Sequence, residues 1–443
     1  MTGKSSTYGT LRRDIRWSQL SDSNRQPLDY KSRALPIEAK LAFLAAPIVY
    51  AQLQRSCKSG VERTGNLVYC VVMNIGILRE VKPQEHRVGM IPASAGELVK
   101  QGHRVVIEKG AGANSSYLDK EYQLAGVEVL PTAEAVFEEA QLIVKVKEPQ
   151  PSEVQMLGPE HTLFTYLHLA ADKSLTETLT ATGCTAIAYE TLEVGGRLPL
   201  LEPMSELAGR MAAIFGSYHL ANHRGGRGIL LGGVPGVAPG RVMVIGGGTA
   251  GVNAARVATG IGADVTIVEV DVERMRFLDI TLQEAHTLYS TEANIASLLP
   301  RIDLIIGAVL IPGAAAPKLM TREMLRQMAP GSVFVDIAID QGGCSETSRP
   351  TSHDNPTYFE EEVLHYCVTN MPGAYSRTAT QALNNVTTRW ISLLADNDLQ
   401  NACRKRPELL SGINCTKGKL TCAPVGEAHS LSTVSPAEVL ELH

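Results

Sequence analysis

The stretch RVMVIGGGTAGVNAARVATGIGADVTIVEVD, from Arg241 to Asp271, constrains the fold of this chain more than any other. RVMVIG has the apolar run of a buried strand, TAGVNAARVATGIG the small-residue composition of a closely packed helix, and ADVTIVEVD the pattern of a second strand. At the first junction stands G-x-G-x-x-G, as Gly246, Gly248 and Gly251. The first glycine permits a tight turn, the second lets a diphosphate approach backbone without meeting a Cβ, and the third lets helix and sheet pack closely. Free N–H groups and the helix dipole then face the diphosphate. Glu269 closes the second strand where a carboxylate accepts hydrogen bonds from an adenosine ribose, and its charge repels a 2′-phosphate, so NAD is expected over NADP. Glycine triples often serve turns alone; strand, turn, helix, strand and acid in that order make the dinucleotide reading specific.

The same alternation runs through most of the chain. From Met73 onward, MNIGIL, HRVVIEKG, QLIVKVKEP, LFTYLHL and TAIAYE read as strands, with PASAGELVKQG and TAEAVFEEA as helices. A second series starts near Gly240 with VMVIG, DVTIVEV, DLIIGAV and SVFVDIAI. The helical stretch PMSELAGRMAAIFGSYHLAN links the two series, and the tail after Met371 reads as mostly helical and returns to the first. The expected class is α/β with parallel sheets, and 443 residues suffice for two full cores. A net charge of −5 without a long basic run argues against a nucleic-acid surface. The 8 cysteines show no spacing for a metal and read as free thiols of a reducing compartment. Residues 1–72 differ: polar, Arg- and Ser-rich, then the apolar LAFLAAPIVYA, which is too short to span a bilayer. We expect a non-native or disordered extension there, with Met73 as the physiological start.

Four further positions carry chemistry. Arg87 follows the first strand in REVKPQEHRVGMIP, Lys147 ends a strand in KVKEP, His168 sits in the apolar LFTYLHLA, and Asp340 ends a buried strand in VDIAIDQGG. In open α/β sheets ligands lie beyond the carboxyl ends of strands. The cations suit a substrate carboxylate and the imidazole suits proton transfer near neutral pH. Each has a plainer reading: a strand-closing lysine is usually solvated, a lone apolar-run histidine is usually a hydrogen-bonded core residue, Asp340 before two glycines makes a turn, and Arg87 pairs with Glu85 on the surface.

The phrases GILREVKPQEHRVGMIP, GHRVVIEKGAG, IVKVKEPQPSE, LFTYLHLAAD, LPLLEPMSELAGRMA, GILLGGVPGV, AVLIPGAAAPKLM, VDIAIDQGGC and NMPGA occur in this order, and from Met73 to His443 the chain resembles alanine dehydrogenase. The resemblance implies two Rossmann-like, doubly wound domains with a cleft between them: a discontinuous substrate domain, 73–199 with 377–443, and an inserted NAD domain, 200–376. It implies Arg87 and Lys147 as binders of the substrate carboxylate and carbonyl, and His168 and Asp340 as catalytic residues. Ser205 and Asn370 join Gly246, Gly248, Gly251 and Glu269 as dinucleotide contacts. The implied reaction is reversible oxidative deamination of L-alanine to pyruvate and ammonia with NAD, in a cytoplasmic hexamer, without metal. The segment LDITLQEAHTLYST is slightly shortened against the family, and the region 349–360 departs from it. The alternatives are the NAD-binding component of a proton-pumping transhydrogenase, which needs membrane-spanning partners, and a non-catalytic NAD-binding module, with saccharopine dehydrogenases a more distant relation.

Overall fold

The structure, a computed structural model, describes residues 72–309 and 316–442. The extension expected over 1–72 thus lies outside the described residues, Val72 excepted. Six strands build the first parallel sheet: β1 (Asn74–Ile77), β2 (Arg104–Glu108), β3 (Glu128–Leu130), β4 (Leu142–Val144), β5 (Thr162–Thr165) and β6 (Thr185–Ala188). The second sheet holds β7 (Arg241–Ile245), β8 (Asp264–Glu269), β9 (Ala285–Tyr289), β10 (Leu304–Gly307), β11 (Val333–Asp336), β12 (Thr357–Glu360) and β13 (Val363–Tyr366). Two strands from the tail, β14 (Ile413–Thr416) and β15 (Lys419–Leu420), return to the first sheet.

The two sheets repeat one plan. The first runs β15-β14-β6-β5-β4-β1-β2-β3 and the second β12-β13-β11-β10-β7-β8-β9. Stripped of the antiparallel edge strands β14, β15 and β12, each is a parallel 3-2-1-4-5-6 array. The strand order reverses between β1 and β4 in the first sheet and between β7 and β10 in the second, the positions at which the loops of an open α/β sheet diverge to form a ligand-binding crevice. Strands such as β4 (Leu142, Ile143, Val144) and β10 are buried throughout because helices cover both faces, hence their uninterrupted apolar runs.

One sequence expectation needs correction and one an addition. The tail is mostly helical and returns to the first sheet, as expected, but after the helix Ser376–Ala395 it also contributes the short strands β14 and β15, which the polar INCT and KL do not announce. QLIVKVKEP is a strand only to Val144, because the chain then leaves the sheet and buries Lys145 among carboxylates. The helix Glu202–His219 joins the two halves, starting with Pro203 in its first turn, where a missing N–H is harmless. Its Gly209 lies so close to the carbonyl of Ala250 that a Cβ would overlap it, and Gly216 packs on Leu304. Small residues therefore let this helix lie tightly against the helix Thr249–Gly260, which follows the glycine turn.

Candidate active site

The loops after β1, β4 and β5 line the first crevice. They carry Arg87, Lys147 and His168, while Asn370 comes from just beyond β13 of the second sheet. Non-glycine residues in the left-handed region mark these loops: Gln84 (φ 62°), His168 (φ 51°) and Asn370 (φ 57°). Such conformations cost of order 1–3 kcal/mol each and persist where surroundings over-determine them. At His168 the restraint is Glu190, whose carboxylate accepts the backbone N–H groups of Leu167 (3.0 Å) and His168 (2.6 Å). The imidazole lies parallel to the Tyr166 ring, with centroids 5.8 Å apart.

Lys147 Nζ stands 3.2 Å from His168 Nε2. An ammonium can only donate, so Nε2 accepts and the ring is neutral with its proton on Nδ1. The electrostatics agree: burial, then Lys147, Lys82 and Arg87, hold the His168 imidazole well below its usual range. Burial likewise pushes Lys147 down, opposed by Asp340 and reinforced by Arg87. Lys147 therefore lies within electrostatic reach of Arg87, His168 and Asp340. Asp340 differs from the other three in being exposed, on the 3₁₀ turn Ile337–Gln341 beyond β11. That turn is hung from Asp336, a buried carboxylate that accepts the N–H groups of Ala338 (3.0 Å) and Cys344 (2.9 Å) and the Ser348 hydroxyl proton (2.5 Å).

Arg87 is buried, with 2 % of its surface exposed, and its partner Glu85 shows 4 %, so the pair expected on the surface is internal. Glu85 Oε1 takes the Arg87 Nε–H at 2.7 Å and Oε2 takes one Nη2–H at 2.5 Å. The second Nη2 proton goes to Asn370 Oδ1 at 2.7 Å, and Nη1 donates to the Met204 sulfur at 3.0 Å. The Asn370 side chain, expected to meet a dinucleotide, is held by this cluster: one N–H of its amide donates to Glu85 at 2.9 Å, which leaves the other N–H uncommitted among the described residues.

In the second sheet, Gly246 takes φ 98° and its Cα faces the carbonyl of Ala308, which a Cβ would approach to 2.8 Å. Gly248 caps the helix Thr249–Gly260 and has open space where a Cβ would project. A Cβ on Gly251 would fall on the carbonyl oxygen of Gly246. Glu269 folds back under this turn, accepting N–H groups from Gly247 (2.7 Å), Val270 (2.7 Å) and Asp271 (3.0 Å). Arg274 Nε donates to the Gly247 carbonyl at 2.6 Å. Ser205 lies half-buried near the start of the helix Glu202–His219.

Sequence reasoning missed a buried layer behind the cleft. Lys145 is fully enclosed and paired with Glu153 (2.6 Å) and Glu80 (3.3 Å), and Glu80 also accepts the Val146 N–H at 2.6 Å. Lys82 pairs with Glu148 at the cleft edge. The one signal available was density: REVKPQEHR holds five charged residues besides His86 within nine positions, directly after a buried strand.

Fold and site together put the chain among two-part α/β dehydrogenases. Residues 76–208 match the family described as alanine dehydrogenase/PNT, N-terminal domain, and residues 212–423 match alanine dehydrogenase/PNT, C-terminal domain. The chain belongs to this family. It is 50% identical over 370 residues to an alanine dehydrogenase of Halomonas elongata, covering 83% of this chain and 100% of the relative. An alanine dehydrogenase of Mycolicibacterium smegmatis is 48% identical over 370 residues, again 83% of this chain and 100% of the relative. A solved L-alanine dehydrogenase superposes with a TM-score of 0.78 at 47% identity, covering 81% of this chain and 99% of that one. A transhydrogenase of Sinorhizobium meliloti shares the fold, with a TM-score of 0.67 at 24% identity over 79% of this chain and 99% of that one.

Proposed function

We propose that this protein catalyses the reversible, NAD-dependent oxidative deamination of L-alanine to pyruvate and ammonia. The observation that carries the reading is the Lys147–His168 contact of 3.2 Å, with Arg87 and Asp340 in electrostatic reach, at the strand-order reversal of the first sheet. The glycine turn fits a dinucleotide: Gly248 leaves open space at a helix start, where backbone N–H groups face a diphosphate. Glu269 Oε2 bonds one N–H and keeps a lone pair for a ribose hydroxyl, which favours NAD over NADP. Ser205 and Asn370 belong to the cofactor side of the cleft in this reading. So do the domain limits, 73–199 with 377–443 around an inserted 200–376, supported by the membership of each sheet.

In the deamination direction Lys147 and the remaining Nη1 proton of Arg87 take the substrate carboxylate. Bound NAD supplies the hydride acceptor. As hydride leaves the α-carbon, positive charge grows on that carbon and its nitrogen, and the Asp340 carboxylate stabilises it. The neutral imidazole of His168 removes a proton from the water that adds to the imine, then returns a proton to the departing ammonia. Burial suits it to the first task, because the ring is already unprotonated. A cytoplasmic hexamer completes the reading; the six described cysteines, all buried free thiols, suit a reducing compartment. The test is a screen of 2-oxo acids with ammonia and NADH, using the full chain and one beginning at Met73. Pyruvate-dependent NADH oxidation supports the reading; NADH binding without turnover on any 2-oxo acid overturns it.

A further inference from the structure

The charges around the first crevice cancel in pairs. Arg87 is bound through two nitrogens by Glu85, Lys82 pairs with Glu148, and Lys145 is shared by Glu80 and Glu153. Lys147 is the exception among the cations: its near neighbour is the His168 ring, and among the described residues it forms no ion pair. Asp340, Glu148 and Glu190 reach it only through space. The guanidinium of Arg87 is also hydrogen-bonded nearly to capacity. Of its five N–H groups, Glu85 takes two, Asn370 one and Met204 one, leaving a single Nη1 proton free. It cannot present the two-pronged fork by which arginine usually grips a carboxylate.

We propose that Glu85 makes this cleft selective for monocarboxylates: it positions Arg87 and cancels its charge, so that Lys147 alone supplies an uncompensated cation and a second carboxylate on the ligand meets none. The inference rests on the substrate-binding reading of Arg87 and Lys147 given above. Several observations support it. Glu85 is 4 % exposed, so solvent does not screen its charge. Burial pushes its carboxyl up, but the Arg87 guanidinium more than reverses this and brings it to about 2, so it stays ionised throughout the working range. Asn370 clamps both partners from the opposite sheet, so neither can swing away to meet a ligand.

Oxamate and oxalate are isosteric with pyruvate and carry one and two negative charges, so their affinities separate charge from size. Each is measured as a competitive inhibitor of pyruvate amination by the complete chain, and by calorimetry in the presence of NADH. The native protein is expected to bind oxamate much more tightly than oxalate. Glu85→Gln removes a charge at close range, and the oxalate-to-oxamate affinity ratio rises by about tenfold. Glu85→Asp keeps the charge on a shorter arm: both inhibitors weaken through displaced Arg87, but their ratio stays near the native one. Asn370→Asp adds a charge to the same cluster, and the ratio moves the other way, which keeps the test decisive should Glu85→Gln not fold. A ratio unmoved by Glu85→Gln and Asn370→Asp, or moved equally by Glu85→Gln and Glu85→Asp, overturns the proposal. Absence of pyruvate amination in the native protein instead overturns the underlying reading of function.

Discussion

The two crevices of this molecule share a topology and almost nothing else. Both open where a parallel 3-2-1-4-5-6 sheet reverses its strand order. In the second sheet the lining is backbone: Gly246, Gly248 and Gly251 keep side chains away, and the Glu269 carboxylate is held by three N–H groups. In the first the lining is side chain: Arg87, Lys147 and His168, with Glu85 and Glu190 restraining them. Topology thus fixes where a ligand sits, and the residues that follow the strands decide what chemistry is offered there.

The contrast is most sharply tested where damage to each half should be largest and of a different kind. His168→Ala is expected to lower kcat by about 10²–10⁴-fold while NADH affinity changes by less than about twofold. Gly251→Val should do the reverse: its side chain collides with the Gly246 carbonyl, so NADH binding, followed by fluorescence titration, is lost together with about 1–3 kcal/mol of stability. If both variants fail in the same step, the division of labour between the crevices is wrong.

The acid stability of the first crevice comes next. The Glu85 carboxyl moves from 4.5 to about 2 on folding. Because this value is depressed in the native state, the stabilisation is complete above pH 4.5 and disappears as pH falls through 2. We expect the native protein to lose about 3 kcal/mol more than Glu85→Gln between pH 5 and pH 2 in denaturant titrations. A smaller effect is expected in the second crevice. Glu269→Ala should raise the KM for NAD by about tenfold, consistent with a lost charged hydrogen bond, and leave the KM for pyruvate alone.

The mildest test is the pH profile. His168 is depressed by burial and by Lys147, so the neutral base persists below its usual range and the acid limb of deamination should fall well under pH 6.5. Lys147 is depressed by burial too, so its charge is lost as pH rises through a value below 10.5, and the KM for pyruvate should climb there. Lys147→Arg should remove that alkaline limb, since arginine does not titrate in the range. An acid limb at or above pH 6.5 would break the account of how burial tunes the imidazole.

How much of this was legible in the sequence varies with the range of the interaction. The glycine turn is local: Gly246 to Gly251 are six consecutive positions between a strand and a helix, and their spacing carries the geometry directly. Strands β7, β8, β10 and β11 announced themselves as apolar runs because both their faces are covered. Strands β14 and β15 did not, since a short edge strand placed by a long return carries no such run. Arg87, Lys147, His168 and Asp340 were identifiable as unusual residues at strand ends, but their meeting was carried by resemblance and not by spacing.

The sequence by itself therefore determined the alternation of elements, the diphosphate turn and the residue types available to the cleft, because each depends on neighbours a few positions away. Only the tertiary structure decided that Glu85 is buried and not solvated, that Asn370 serves Arg87, and that Lys147 stands beside a neutral imidazole with no carboxylate partner among the described residues. Burial and charge compensation are properties of a volume filled by segments as much as 285 residues apart, as Asn370 and Glu85 are, and no local pattern encodes them.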